Sequence, residues 1–442
     1  MFCQIDYNFG EDMKEMEKLP KIQDFDLKDK IVLLRVDHNV VKKGKISDTY
    51  RIETTIPTIM HIIKKGGKPI IMTHIGRPKD KQTGNIKISE DDNVLPIVEY
   101  LKHKFGLNFV VPEFQKYDEK GYFGIDSSIN LLINQLKSGV YDGIYLPNTR
   151  FFMGEEDKGA LKLIFGKQLA GIADVFVNDA FGSWQPHAST VAPVEHLPSS
   201  AGLLMQKEIK HLTDIFSPVR PLTAVVAGSK FDTKIKPLEE LIKVADYLLL
   251  GGVIFNAYIA AKYNLEIKGI SEEDMKIASD FVKLAQKTPD KVIEPDYIIE
   301  SDTLDGKFEG QYRTHKISDL KPGTKLNFIL DIGKESFENN RLIDIIMKTK
   351  TFFINAVMGF TPNFTEGTIG MYSLINQNKE ALKLYGGGDT LQEFKNLLPE
   401  LYWKSLDDPK YYFFTGGGTI LTAIEQGSPW KLDTIVALLN KV

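Results

Sequence analysis

Cysteine is nearly absent from this 442-residue chain, where Cys3 stands alone. An intrachain disulfide and a cysteine-rich zinc site are thereby excluded, and a reducing compartment suits the chain. A surplus of either charge is missing too. Lys and Arg number 55 against 59 Asp and Glu, a formal net charge of −4. Non-specific nucleic-acid binding rests on a strong basic surplus, which this balance lacks. No apolar run approaches the roughly 18 residues needed to span a bilayer. The opening stretch MFCQIDYNFGEDMKEMEKLP is acidic and has no apolar core of a secretory signal, and a mitochondrial transit peptide is Arg-rich and acid-poor. The expectation is a soluble, cytoplasmic protein with neither nucleic acid nor membrane as partner. Tandem repeats and low-complexity tracts are lacking.

What is present is a rhythm of strand, loop and helix. With 43% hydrophobic residues there is material for buried cores, and a prior of about 150 residues per domain suggests roughly two or three of them. Short β-branched or aromatic runs recur at 31-IVLLRV-36, 69-PIIMT-73, 143-GIYLP-147 and 174-DVFVN-178, then at 222-LTAVVA-227, 246-DYLLL-250, 326-LNFIL-330, 351-TFFIN-355, 382-LKLY-385 and 411-YYFF-414. Each precedes a polar or glycine-rich loop and an amphipathic stretch. Continuous apolar runs suit strands covered on both faces, as in parallel sheets. Their alternation with helices indicates α/β layering, and ten runs divide most economically between two α/β domains. Between the two series lies 197-LPSSAGLLMQKEIKHLTDIFSPVRP-221. Ser199 or Ser200 is the expected cap of a connecting helix there, with Leu204, Ile209, Leu212 and Ile215 at helical spacing.

Ligands of open α/β sheets bind beyond the carboxyl ends of the strands. In the first half, polar and cationic residues follow the runs: Asp37-His38-Asn39 and then Arg51, His74-Ile75-Gly76-Arg77, Asn148-Thr149-Arg150, and Asp179. Three arginines and a histidine can converge on a small polyanion, because guanidinium forks match carboxylate and phosphate oxygens. In the second half, glycines follow: Gly228-Ser229-Lys230, Gly251-Gly252, Gly386-Gly387-Gly388-Asp389-Thr390 and Gly416-Gly417-Gly418-Thr419. Glycine loops that open helices bring backbone N–H groups close to phosphate. Asp389 is a candidate magnesium ligand beside them, since that ion takes few carboxylates plus phosphate oxygens. There is no G-x-x-x-x-G-K-[ST], no complete G-x-G-x-x-G after a strand, no H-E-x-x-H and no G-x-S-x-G, so the familiar sites of those kinds are excluded. Side-chain cations in one half and glycine backbone in the other suit transfer of a phosphoryl group between a small anionic metabolite and a nucleotide. A hydrolase splitting one phosphorylated ligand has the same appearance.

The motifs in order are similar to those of one family. Arg35-Val36-Asp37-His38-Asn39-Val40 resembles R-V-D-F-N-V, Ser47 to Ile52 resembles D-D-T-R-I, and Thr73 to Pro78 resembles S-H-L-G-R-P. Asn148 to Phe151 with Gly154-Glu155-Glu156 resembles N-L-R-F-x-x-G-E-E, Asn178 to Gly182 matches N-D-A-F-G, and His187 to Thr190 matches H-A-S-T. Lys230 and Lys234 keep the spacing of G-G-A-K-x-x-D-K-I, and L-D-I-G, G-G-G-D-T and T-G-G-G follow at Leu330, Gly386 and Thr415. From about Leu19 to its C-terminus the chain resembles the phosphoglycerate kinases.

The resemblance implies two Rossmann-like domains with parallel sheets joined by a helix. Residues 1–199 would form the glycerate-substrate domain, with about 427–442 packing back on it. The connecting helix would be 200–217 and the nucleotide-binding domain 218–426. The implied reaction is reversible transfer between 1,3-bisphosphoglycerate and Mg-ADP, giving 3-phosphoglycerate and Mg-ATP, by domain closure and without a general base. Asp37, Asn39, Arg51, His74, Arg77 and Arg150 would hold the glycerate. Arg51 and Lys230 would neutralise the moving phosphoryl group, with the amides near Gly417 and Gly418 facing it. Gly228, Lys230, Lys234, Gly251, Gly386, Gly387, Gly388, Asp389 and Thr390 would hold the nucleotide, with Asp389 at magnesium. A monomer is the implied state.

Four departures stand out. The stretch Ser183-Trp184-Gln185-Pro186-His187 is one residue shorter than T-A-H-R-A-H and lacks its arginine. An unreplaced contact of that kind weakens binding by roughly 1.5–3 kcal/mol. Asn355 to Pro362 stands for N-G-P-M-G-V-F-E without the glutamate that the family uses for ribose, leaving Glu366 as the substitute candidate. Val253 takes the place of a third glycine, and Ala227 and Asp232-Thr233 alter the surroundings of the lysines. Three readings follow: an active phosphoglycerate kinase, a catalytically silent relative serving in binding or regulation, and a kinase with altered acyl-phosphate or nucleotide specificity.

Overall fold

The computed structural model describes residues 9–228 and 234–440. The chain divides into two compact units, one of Phe9–Lys210 with the chain from Trp430 onward, the other of His211–Pro429. In the first unit the strands of the main sheet are β1 (Ile31–Val36), β2 (Lys68–Met72), β3 (Phe109–Val110), β4 (Gly143–Tyr145), β5 (Val175–Asp179) and β6 (Ser199–Ala201). They form one sheet in the order β3-β4-β2-β1-β5-β6, parallel throughout. All six residues of β1 are buried, as expected for a central strand covered on both faces. Leu33 pairs with Ile70 on one side and Phe176 on the other.

The second unit carries β7 (Leu222–Gly228), β8 (Tyr247–Gly251), β9 (Val292–Ile293), β10 (Tyr297–Ser301), β11 (Tyr312–Lys316), β12 (Phe328–Ile332), β13 (Thr351–Asn355), β14 (Leu382–Tyr385) and β15 (Tyr411–Phe413). Six of them build a second parallel sheet, β9-β8-β7-β13-β14-β15. Nine of the ten apolar runs therefore lie in the two parallel sheets. The tenth does not. β12 joins a separate antiparallel sheet, β11-β10-β12. An apolar run reports burial but not the direction of its neighbour, and β11 exposes most of its residues.

Ser199 and Ser200 do not cap a helix. They sit buried in β6, paired with Phe176 and Val177. The following helix spans Leu203–Phe216. Its N-terminus is held from elsewhere: the Leu203 N–H donates to Thr58 Oγ1 at 3.0 Å and the Met205 N–H to Asp179 Oδ1 at 2.9 Å. Burial pushes the Asp179 carboxyl up to about 6. Leu204, Ile209, Leu212 and Ile215 are buried, as their spacing predicts. Near the other end of the chain, helix Asp433–Leu439 buries Thr434, Ile435 and Leu438 in the first unit, and the Trp430 indole N–H donates to Asp12 Oδ1 at 2.8 Å. Among the described residues no helix is long and apolar enough to cross a membrane.

Candidate functional site

In the first unit, five of the six expected glycerate residues lie in loops beyond the carboxyl ends of β1, β2 and β4, while Arg51 lies in the short helix Tyr50–Glu53, and buried polar groups tie the loops together. Asp37 follows β1 and is 6% exposed. Its Oδ2 lies 3.4 Å from Arg51 Nη1, and its Oδ1 accepts the Asn39 N–H. Burial opposes ionisation of Asp37, but the charge of Arg51, with Arg35 behind it, outweighs burial and holds the carboxyl below its ordinary value. Asn39 turns its Oδ1 to the Gly76 N–H at 2.9 Å, and Arg150 Nη1 donates to the Gly76 carbonyl. Arg150 also pairs with Glu156, Nε to Oε1, at 2.9 Å. Asn148 draws the two loops together by accepting the Ile75 N–H and donating to the Ile75 carbonyl. Arg77 stands exposed, with no hydrogen bond or ion pair among the described residues.

His74 is neutral: burial, with Arg35 and Arg150 adding to it, pushes the imidazole down to about 3. Its Nδ1 lies 3.1 Å from Arg35 Nη2 and 3.3 Å from Ser183 Oγ. A guanidinium only donates, so Nδ1 accepts and Nε2 carries the proton, a donor suited to an anionic oxygen. Arg35 escaped the sequence reading as a site residue. It is fully buried, donates Nε to Ser189 Oγ at 2.9 Å, and Ser189 Oγ in turn donates to Glu155 at 2.6 Å. Glu155 also accepts from Thr149 Oγ1 and the Ser189 N–H, each at 2.9 Å. The one signal for Arg35 was a charge inside an apolar strand run, where burial demands a partner.

In the second unit the glycine loops follow β7, β8, β14 and β15. Gly386 follows β14 and Gly387 precedes helix Gly388–Leu397, whose first turn holds exposed Asp389 and buried Thr390. Gly416 precedes helix Gly417–Glu425, with Gly418 exposed in its first turn. These two helix starts touch. A Cβ built on Gly417 would lie 2.5 Å from Gly387 Cα and 2.8 Å from Gly387 N, and Gly387 holds φ +111°. Only glycine allows both the conformation and the approach. Two helix N-termini thus bring their positive dipole ends side by side, an arrangement that attracts phosphate. At the other loop pair, Gly252 lies against the Gly228 carbonyl and Gly251 against Met358 Sδ.

Lys234 closes the arrangement. Its Nζ donates to the Ala227 carbonyl at the end of β7 and to Asn355 Oδ1 at the end of β13. Asn355 Nδ2 donates onward to the Gly386 carbonyl at 2.7 Å. Burial lowers the Lys234 ammonium to about 8, with the charge of Asp389 opposing. Asn355 was unassigned in the sequence; its partners are 121 and 31 residues away. Lys230 lies outside the described residues. Glu366, the candidate substitute for the missing glutamate, opens helix Glu366–Gln377 and is ion-paired with Lys307. Next to it Asp331 is pushed up to about 7, first by burial and then by Glu366. Among the described residues no group of three or more His, Cys, Asp or Glu could cage a metal. Asp389 instead suits an ion held mostly by phosphate oxygens: it is exposed, at a helix start, with its charge felt at Lys234.

The family model of phosphoglycerate kinase matches residues 22–427. A phosphoglycerate kinase of Wolbachia sp. subsp. Brugia malayi is 32% identical over 435 residues, covering 96% of this chain and 100% of its own. One from Dictyoglomus turgidum is 32% identical over 410 residues, covering 91% and 95%. The solved structure of phosphoglycerate kinase from Coxiella burnetii superposes with a TM-score of 0.74 at 24% identity, over 96% of this chain and 99% of that one. The Pyrococcus horikoshii enzyme gives 0.73 at 24%, over 96% and 100%, and both show the same fold.

Proposed function

We propose a division of labour for this chain, which belongs to the phosphoglycerate kinase family and is an ATP-dependent phosphotransferase moving a phosphoryl group between 1,3-bisphosphoglycerate and ADP. The observation that carries the assignment is the pair of touching helix starts at Gly387 and Gly417, with the Lys234 amine beside Asn355. Gly228, Gly251, Gly386, Gly387, Gly388 and Thr390 line the nucleotide side. Asp389 would hold magnesium, which when bound neutralises charge between phosphate oxygens. Asp37, Asn39, Arg51, His74, Arg77 and Arg150 hold the glycerate. Residues 1–199 with the return near 427–442 serve the glycerate, and 218–426 serve the nucleotide. The enzyme works as a cytoplasmic monomer.

The attacking group is an ionised carboxylate or phosphate oxygen, so no side chain has to take a proton. Arg51 and Lys230 neutralise the phosphoryl group as it passes between the carboxylate and phosphate oxygens, and amides near Gly417 and Gly418 face the transfer point. Positioning and charge stabilisation then supply the rate. Domain closure brings the substrates together and keeps out water.

A coupled assay with 3-phosphoglycerate, magnesium and ATP or GTP tests the reading. Turnover is expected, abolished by EDTA and by Lys230→Ala; a folded protein that turns over no nucleotide sinks it. The pH profile gives a second check. Polyphosphate needs the ammonium form of Lys234, whose value is lowered to about 8. Nucleotide kcat/KM is therefore expected to fall as pH rises through that value, and Lys234→Met should remove this limb. A flat profile in the unaltered enzyme would remove Lys234 from phosphate binding.

A further inference from the structure

His38 lies between two proposed glycerate residues, where the family motif places phenylalanine. It is fully buried, yet every polar atom of its ring has a partner. Nδ1 lies 2.8 Å from Tyr145 Oη and Nε2 lies 2.9 Å from Thr55 Oγ1. The proton positions follow from the far end. Thr55 Oγ1 donates its own hydrogen to the Ile52 carbonyl at 2.8 Å. It has none left to give, so His38 Nε2 is the donor and the Tyr145 hydroxyl donates to Nδ1. The chain runs in one direction: Tyr145 O–H to His38, His38 N–H to Thr55, Thr55 O–H to Ile52. Burial pushes the imidazole down to about 3, which keeps the neutral form this relay requires.

The two ends of the relay belong to different parts of the glycerate half. Tyr145 is the last residue of β4. Ile52 and Thr55 bracket the turn that follows Arg51, and the Thr54 hydroxyl donates to the Arg51 carbonyl at 3.1 Å. The His38 N–H is itself bonded to Thr73 Oγ1 at 2.9 Å, at the end of β2. We propose that His38 is a positioning residue of the glycerate site: its imidazole locks the Arg51 turn to the Asp37–Asn39 loop and to β4, and so sets where Arg51 meets substrate. Phenylalanine fills the same space and keeps the backbone bond to Thr73 but makes neither ring bond, so the lock depends on the imidazole. The inference rests on the glycerate assignment above.

Two variants separate positioning from plain burial of polar groups. His38→Phe leaves the Tyr145 hydroxyl buried without an acceptor and lowers stability. The double variant His38→Phe/Tyr145→Phe removes that orphan and is expected to recover stability. The KM for 3-phosphoglycerate is expected to stay raised about tenfold or more in both, with the KM for ATP within twofold of the unaltered enzyme. His38→Gln, which keeps a donor toward Thr55, should recover part of the loss. A double variant with unchanged KM for 3-phosphoglycerate, or with both KM values raised alike, overturns the proposal. If the His38 variants do not fold, Thr55→Val cuts the far end of the relay and carries the same expectations and the same refutation. An unaltered enzyme inactive on 3-phosphoglycerate would instead refute the glycerate assignment itself.

Discussion

Gly417→Ala is expected to lower nucleotide kcat/KM by about 100-fold or more in a protein that still folds. The added Cβ has nowhere to go: Gly387 Cα would be 2.5 Å away and Gly387 N 2.8 Å. Both are backbone atoms, so no rotamer change relieves the clash. The two helix starts must part by roughly 1 Å, and a displacement of that size in a positioned site costs about 100-fold. Overpacking of this kind also costs roughly 1–3 kcal/mol of stability. Steady-state kinetics on each substrate, with a denaturant titration, provides the check. Gly171→Ala is the control, since its Cβ would meet nothing within 4 Å. Wild-type nucleotide kinetics in Gly417→Ala would show that the contact does not set the phosphate site.

Arg51→Ala carries the largest expected effect, a loss of about 1,000-fold in kcat, the scale at which a guanidinium stabilises phosphoryl transfer. Stability at neutral pH should fall as well, because Asp37, 6% exposed, loses the charge that chiefly holds its carboxyl low. The pH profile should change too. Asp37 is held low against its burial chiefly by Arg51. A depressed carboxylate contributes its charge at neutral pH and loses it as pH falls through the folded value. Without Arg51 that value rises, so the acid limb of activity should move to higher pH. Arg51→Lys keeps the charge but not the fork and should fall between the two. Unchanged kcat in Arg51→Ala would exclude the residue from the reaction.

The strands were the legible part of the fold. Runs such as IVLLRV and TFFIN coincide with β1 and β13 because a strand buried on both faces needs an unbroken apolar run and stops where polarity resumes. Loops after those runs carried the candidate site for the same reason. Direction was not legible, and β12 shows why: its neighbour β10 runs antiparallel through a register shift at Ile299/Glu300, which nothing in FILDI announces. Ser199 and Ser200 misled because serine serves a helix cap and a buried strand edge equally. The supporting shell was least visible. Arg35 to Ser189 spans 154 positions, and Lys234 to Asn355 spans 121. Such contacts have no period, and their residue types are common. His38 could be seen to depart from a motif, but its partners at 55 and 145 depend on how the ends of β1 and β4 meet the turn after Arg51.

The return of the chain at Trp430 bears on the order of synthesis. Among the described residues the second unit draws on His211–Pro429 alone, so its sheet is complete in sequence as soon as β15 has left the ribosome. The unit begun by β1 is not. It takes up helix Asp433–Leu439, whose Thr434, Ile435 and Leu438 are buried there. The half of the molecule that is started first is therefore finished last.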